Sequence, residues 1–152
     1  MLAEAGVGSP RVDAELLAAE VLGVPRTRLM SARFDSQAVV RYWELVTSRA
    51  TRTPLQHLTG KAPFRYLELA VGPGVFVPRP ETELLVDWGL ARIAGYRSPT
   101  VVDLCAGTGA IALSVAKEHP GARVYAVESS PEALGWLRRN ASGTASRSWR
   151  GT

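Results

Sequence analysis

The first fifty positions carry two runs of apolar residues at helical spacing. Val12, Leu16, Leu17, Ala19 and Val21 follow Ser9-Pro10, a capping residue ahead of a proline at the first helical position, and Gly23 closes the run. Val39, Val40, Trp43, Val46 and Ala50 recur at three or four residues from about Ser36 until Thr53-Pro54 stops them. Two amphipathic helices cannot bury themselves alone, so this stretch is expected to form a small helical subdomain or an arm resting on the later part of the chain.

Between Gly60 and Pro80 the texture changes to four prolines and three glycines interleaved with Phe64, Tyr66, Leu67, Leu69, Val71, Val75, Phe76 and Val77. Two short extended runs around Gly72-Pro73-Gly74 predict a β-hairpin joining two domains. Arg79-Pro80-Glu81-Thr82-Glu83 then opens a helix through Leu84, Leu85, Trp88 and Ala91, because the macrodipole and unpaired N–H groups of a helix start favour acids. From Thr100 the pattern alternates. A strand Thr100–Leu104 leads through a Gly-containing turn, Cys105 to Gly109, into an apolar helix Ala110–Lys117. A second strand, Arg123–Val127, is closed by Glu128 and followed by a helix Pro131–Asn140. This is one βαβ unit and the helix after it.

Composition narrows the class. With 46% apolar and 21% charged residues in 152, the chain is neither disordered nor fibrous, and a core is possible without disulfides. The net charge of +4 invites a nucleic-acid partner, but its placement argues against one. All 14 acids lie at or before Glu132, and four of the 18 basic residues (Arg138, Arg139, Arg147, Arg150) lie beyond it, so residues 1–132 balance at 14 against 14. The single cysteine, Cys105, excludes an internal disulfide, and His57 and His119 are too far apart in sequence to suggest a metal site. The longest uncharged run, Leu104–Ala116, is 13 residues, too short to span a bilayer, and no secretory signal opens the chain. A cytoplasmic protein without a membrane segment is the expectation.

Asp103-Leu-Cys-Ala-Gly107-Thr-Gly109-Ala-Ile-Ala112 contains G-x-G-x-x-A, and Glu128 follows Gly109 by nineteen residues. This fits any Rossmann-like nucleotide site: the glycines let backbone approach the ligand, and an acid at the second strand's end accepts from ribose hydroxyls. Both NAD and S-adenosylmethionine carry that ribose. The loop entry favours the second, because a carboxylate at Asp103 opposes a diphosphate at the helix start but suits a ligand with an amino group and a sulfonium. Two plainer readings stand beside it: a ligand-free turn, and Glu128 as a cap for the helix starting near Pro131.

The string Phe76-Val-Pro-Arg79-Pro80-Glu81-Thr82-Glu83, followed about twenty residues on by Asp103-Leu-x-x-Gly-Thr-Gly-Ala-Ile-Ala-Leu113, resembles the HemK/PrmC family. The resemblance extends over about Leu2 to Asn140 and includes Ser9-Pro-Arg-Val-Asp13-Ala-Glu-Leu-Leu17 and Pro54-Leu-Gln-His-Leu-Thr-Gly60. It implies S-adenosylmethionine-dependent methylation of the glutamine side-chain nitrogen in the Gly-Gly-Gln motif of peptide chain release factors. The implied architecture is α/β: a helical release-factor-binding domain at 1–62, a β-hairpin linker at 63–80 and the first part of a Rossmann-like methyltransferase domain at 81–140. A tail at 141–152 falls outside the resemblance. The implied donor site is Asp103, Cys105, Ala106, Gly107, Thr108, Gly109 and Glu128, with Arg79, Pro80, Glu81 and Thr82 near the active-site mouth. Cys105 and Ala106 stand where the family often has glycine and threonine, and the thiol is expected to pack against the turn.

The family's catalytic Asn-Pro-Pro-Tyr has no match, because the single asparagine, Asn140, is followed by Ala141; no catalytic residue and no metal are therefore assigned. Only two strands of the sheet are expected, and the tail, with Trp149 its one large apolar residue, suggests a frameshift near Gly143 or a truncated gene. Two other functions remain open: a nucleic-acid adenine methyltransferase, which shares the Gly loop, and an inactive fragment that only binds a release factor. An unfinished parallel sheet is expected to leave an apolar face uncovered around Val101, Val102, Val124 and Val127, and so to favour aggregation.

Overall fold

The computed structural model describes residues 1–143 and the backbone of 149–151, and it divides into two compact units, Met1–Thr59 and Gly60–Thr152. The first unit is helical: α1 (Pro10–Leu22), a 3₁₀ turn (Arg26–Ser31), α2 (Ser36–Ala50) and α3 (Leu55–Thr59). Proline sets the first turn of α1, and Gly23 ends it at φ 62°, a left-handed conformation that costs glycine little. Ser9 occupies the cap position, but its hydroxyl makes no capping bond; only its carbonyl accepts, from Asp13 N–H at 2.9 Å. The working cap belongs to α2, where Asp35 accepts from Ala38 N–H at 2.7 Å.

The core of this unit is Leu2, Val7, Leu17 and Val46, with Ala14, Tyr42, Leu45, Leu55 and Leu58 packed around it. The expected core face of α2 is corrected here. Val46 is buried, but Val39, Val40 and Trp43 are 40%, 60% and 53% exposed. The helix carries two adjoining apolar stripes, and it turns the one bearing Tyr42, Leu45 and Val46 inward. An ion pair between Asp13 and Arg49 at 2.7 Å joins α1 to α2, and the same guanidinium donates to the Thr53 carbonyl at 3.0 Å.

The second unit opens with an antiparallel hairpin, β1 (Lys61–Phe64) and β2 (Leu67–Ala70), paired from Lys61 opposite Ala70 to Phe64 opposite Leu67. The hairpin therefore turns at Arg65-Tyr66, not at Gly72-Pro73-Gly74, and 75–77 form no strand. The chain does turn at Pro73-Gly74, with Gly74 at φ 86°, but no strand follows it, and both glycines also serve close packing: a Cβ at Gly72 would lie 2.5 Å from the Trp136 ring, and one at Gly74 would lie 2.7 Å from Glu132 Cβ. Trp136 Nε1 donates to the Pro73 carbonyl at 3.0 Å, so this strap lies directly on the later helix.

A 3₁₀ turn (Pro80–Thr82) leads into α4 (Glu83–Ile93), and then come β3 (Thr100–Leu104), α5 (Ala110–Glu118), β4 (Arg123–Val127), α6 (Pro131–Gly143) and β5 (Trp149–Gly151). The sheet is parallel in the order β3-β4-β5, with Thr100 opposite Arg123 and Val124 opposite Trp149. β5 is a third strand where two were expected; ladder pairing uses backbone groups at the open edge of β4 and does not require alternating apolar side chains. The rest of the tail, 144–148 and 152, where the frame was expected to shift, lies outside the described residues.

Leu113, Ala112, Val115 and Ala116 of α5, Val124 and Ala126 of β4, Leu137 of α6 and Phe64 and Leu69 of the hairpin form the core. The opposite sheet face is open through Val102, Leu104 and Val127, at 53%, 70% and 43% exposure, whereas Val124 is buried and Val101 half-buried. Strand alternation explains the difference, since residues of opposite parity face opposite layers. Arg65, at φ 51°, ties the hairpin down: its guanidinium bonds both carboxylate oxygens of Glu118 at 2.6 Å and Asp87 at 2.6 Å. Among the described residues no helix is long and apolar enough to cross a membrane.

Candidate functional site

The carboxyl ends of β3 and β4 lie side by side, with Asp103 opposite Ala126 and Leu104 opposite Val127, and the loop 105–109 leaves the sheet there for α5. In open α/β sheets this crevice beyond the strand ends is where ligands sit. Three loop residues, Cys105, Gly107 and Gly109, have left-handed φ values of 59°, 56° and 83°. Such alternation cannot form a helical hydrogen-bond ladder, so the loop is fastened mainly from outside. Ala106 N–H donates to the Val127 carbonyl at 3.0 Å and Gly107 N–H to Glu128 Oε2 at 2.8 Å, while within the loop Gly109 N–H donates to the Ala106 carbonyl at 2.8 Å.

The two glycines have different reasons. A Cβ at Gly107 would meet only Val75 Cγ2 at 3.9 Å, so the loop face there is open. A Cβ at Gly109 would fall 2.4 Å from Leu137 Cδ1 and 3.1 Å from Leu113 Cδ1, so glycine lets α5 close on α6. Thr108 is buried, Ala106 packs on the core, and Cys105 is exposed. The thiol does not pack against the turn as expected, because the first residue past the strand end has no layer above it.

The two carboxylates differ in surroundings. Glu128 accepts from Ser130 N–H and Gly107 N–H, each at 2.8 Å, and these bonds hold it below the usual carboxylate range. Burial pushes Asp103 up; the bond from Ala112 N–H, at 3.1 Å, opposes this, and the nearby Glu128 charge adds to it. Glu128 does not cap α6. That bond is made by Ser130, whose Oγ accepts from Ala133 N–H at 3.2 Å. The Ser-Pro pair alone does not signal this bond, since the same pair at α1 makes no hydroxyl cap.

Of the remaining expected residues, Arg79 lies over the Phe76 ring at 5.1 Å, and Pro80, Glu81 and Thr82 form the local turn closed by Thr82 N–H to the Arg79 carbonyl at 3.0 Å. The residue just ahead of that stretch that reaches the loop is Val75. Sequence reasoning also passed over Asn140, which is buried on α6 and donates to the Thr108 carbonyl at 3.0 Å.

Comparison with known proteins gives a consistent outcome. The family described as PrmC N-terminal domain matches residues 1–60, and the family described as methyltransferase small domain matches residues 51–148. The chain is 57% identical over 145 residues to a release factor glutamine methyltransferase of Streptomyces coelicolor, covering 94% of this chain and 51% of that protein. It is 56% identical over 145 residues to the protein of the same name from Mycolicibacterium smegmatis (95% and 51%), and 47% identical over 133 residues to that of Burkholderia pseudomallei (86% and 47%). The chain thus spans about half the length of the curated relatives it matches. Among solved structures, coclaurine N-methyltransferase bound to N-methylheliamine and SAH matches with TM-score 0.42 and 18% identity over 98% of this chain and 45% of that one.

Proposed function

The chain belongs to the methyltransferase small domain family, with a PrmC N-terminal domain ahead of it in the HemK/PrmC manner, and on that premise we propose that it serves S-adenosylmethionine-dependent methylation of the Gly-Gly-Gln glutamine of peptide chain release factors. The observation that carries the donor assignment is the grip of Glu128 on Gly107: it fixes an acceptor carboxylate and an open glycine face in one crevice. Each Glu128 oxygen accepts one backbone N–H and keeps a lone pair for a ribose hydroxyl. Asp103, with a second negative charge beside it, opposes a diphosphate and suits a cationic donor.

In this reading Asp103, Cys105, Ala106, Gly107, Thr108, Gly109 and Glu128 hold the donor, and Arg79, Pro80, Glu81 and Thr82 border the place where the target glutamine enters. The bound donor supplies an electrophilic methyl group on a sulfonium. The helical unit holds the release factor, and both act in the cytoplasm. Asn140 cannot orient a target amide, because its own amide is spent on Ala70 and Thr108. We therefore assign donor and partner binding to this chain, without transfer by the chain alone. Calorimetry with S-adenosylmethionine, and tritiated-methyl transfer onto a release factor and onto DNA, test this. Donor binding without transfer is expected; methylated DNA, or no donor binding, would overturn the reading.

A further inference from the structure

Asn140 lies near the end of α6, on the stripe that also buries Ala133, Leu137 and Ala141, and is itself only 7% exposed. A buried primary amide is costly unless bonded, and this one is bonded on both sides. Its Oδ1 accepts from Ala70 N–H at 2.7 Å, and its Nδ2 donates to the Ala70 carbonyl and to the Thr108 carbonyl, each at 3.0 Å. Toward β2 the side chain stands in for a neighbouring strand, engaging both backbone groups of one residue. Toward the loop it takes the carbonyl one residue past the N–H that Glu128 holds. The two grips flank the Gly107–Thr108 peptide, one from β4 and one from α6, and between them set a loop that has no helical ladder of its own.

We propose that Asn140 is a positioning residue for the glycine loop, setting donor affinity through the Thr108 carbonyl without touching the donor. The affinity part rests on the donor-site reading above; the grip on the loop does not.

Because Asn140 is the single asparagine among these 152 residues, selective labelling of this chain with ¹⁵N-asparagine gives one side-chain amide pair. That pair is expected to exchange with solvent at least about tenfold more slowly than a free amide, and to shift on addition of S-adenosylmethionine. Asn140→Ala is expected to speed exchange at the Gly107 to Gly109 amides and to weaken donor binding about tenfold. The control is Val86→Ala on α4, a buried residue of the same unit on a different helix, compared at equal loss of urea midpoint. An unprotected amide pair, or loop exchange in Asn140→Ala no faster than in Val86→Ala, overturns the proposal. If the amide pair is protected but wild type binds no donor, the donor-site reading fails and the grip stands.

Discussion

Glu128→Ala tests whether the carboxylate that holds the glycine loop also supports donor binding. The wild-type carboxylate holds Gly107 N–H and Ser130 N–H at 2.8 Å, and these bonds keep it ionised. A hydrogen bond to a charged group contributes about 1.5–3 kcal/mol, so losing its contact with a ribose hydroxyl weakens binding roughly 10- to 150-fold. Glu128→Gln keeps one carbonyl oxygen but turns an NH₂ toward a backbone donor. Its loss should therefore fall between wild type and alanine. Calorimetry at 25 °C with both S-adenosylmethionine and S-adenosylhomocysteine supplies the control, because the two ligands share the ribose and differ in the sulfonium charge. Equal losses with both ligands are expected for Glu128→Ala. Affinity within twofold of wild type would remove Glu128 from the site, and a loss confined to the charged ligand would show that the ribose is not its partner.

Asp103→Asn should show the opposite selectivity, weakening the sulfonium ligand more than its neutral product. Since burial raises the Asp103 pKa, donor affinity should fall as pH drops through that raised value, and calorimetry should find this acid limb missing in Asp103→Asn. The stability sign is reversed: Asp103 binds its proton more tightly folded than unfolded, so its contribution declines as pH rises from the ordinary carboxylate range through the raised value, which urea midpoints across pH would register. Gly109→Ala meets Leu137 Cδ1 at 2.4 Å in a left-handed conformation and should cost about 2–4 kcal/mol, whereas Gly107→Ala, with its nearest atom at 3.9 Å, should cost about 1 kcal/mol; thermal melts compare them. Arg65→Ala strips a guanidinium from Glu118, whose side chain is 16% exposed, and should cost about 2–4 kcal/mol in urea unfolding, with little of it from Asp87 at 60% exposure.

What could be read from the sequence was local. The strands at Thr100–Leu104 and Arg123–Val127 are short apolar runs between turn residues, and the structure gives them the expected bounds. The start of α1 at Pro10 and its end at Gly23 follow from fixed φ and from a left-handed closure, which are properties of single residues. Features that depend on a distant partner were misplaced. Gly72 and Gly74 look like a hairpin turn because glycine is the common turn residue, yet their small size is used against Trp136 and Glu132, some sixty residues on. Val39, Val40 and Trp43 have helical spacing, but spacing cannot say which of two apolar stripes will find a partner.

The glycine loop joins these two cases. Its sequence names the class of site, because Gly107 and Gly109 permit backbone conformations that other residues resist. Its shape is nevertheless a tertiary property, since the bonds that set it come from Glu128 just past the end of β4 and Asn140 near the end of α6, 21 and 32 residues beyond the groups they hold. The first bond needs β4 paired with β3, and the second needs α6 docked on the hairpin, so a motif match alone cannot report whether a site is formed.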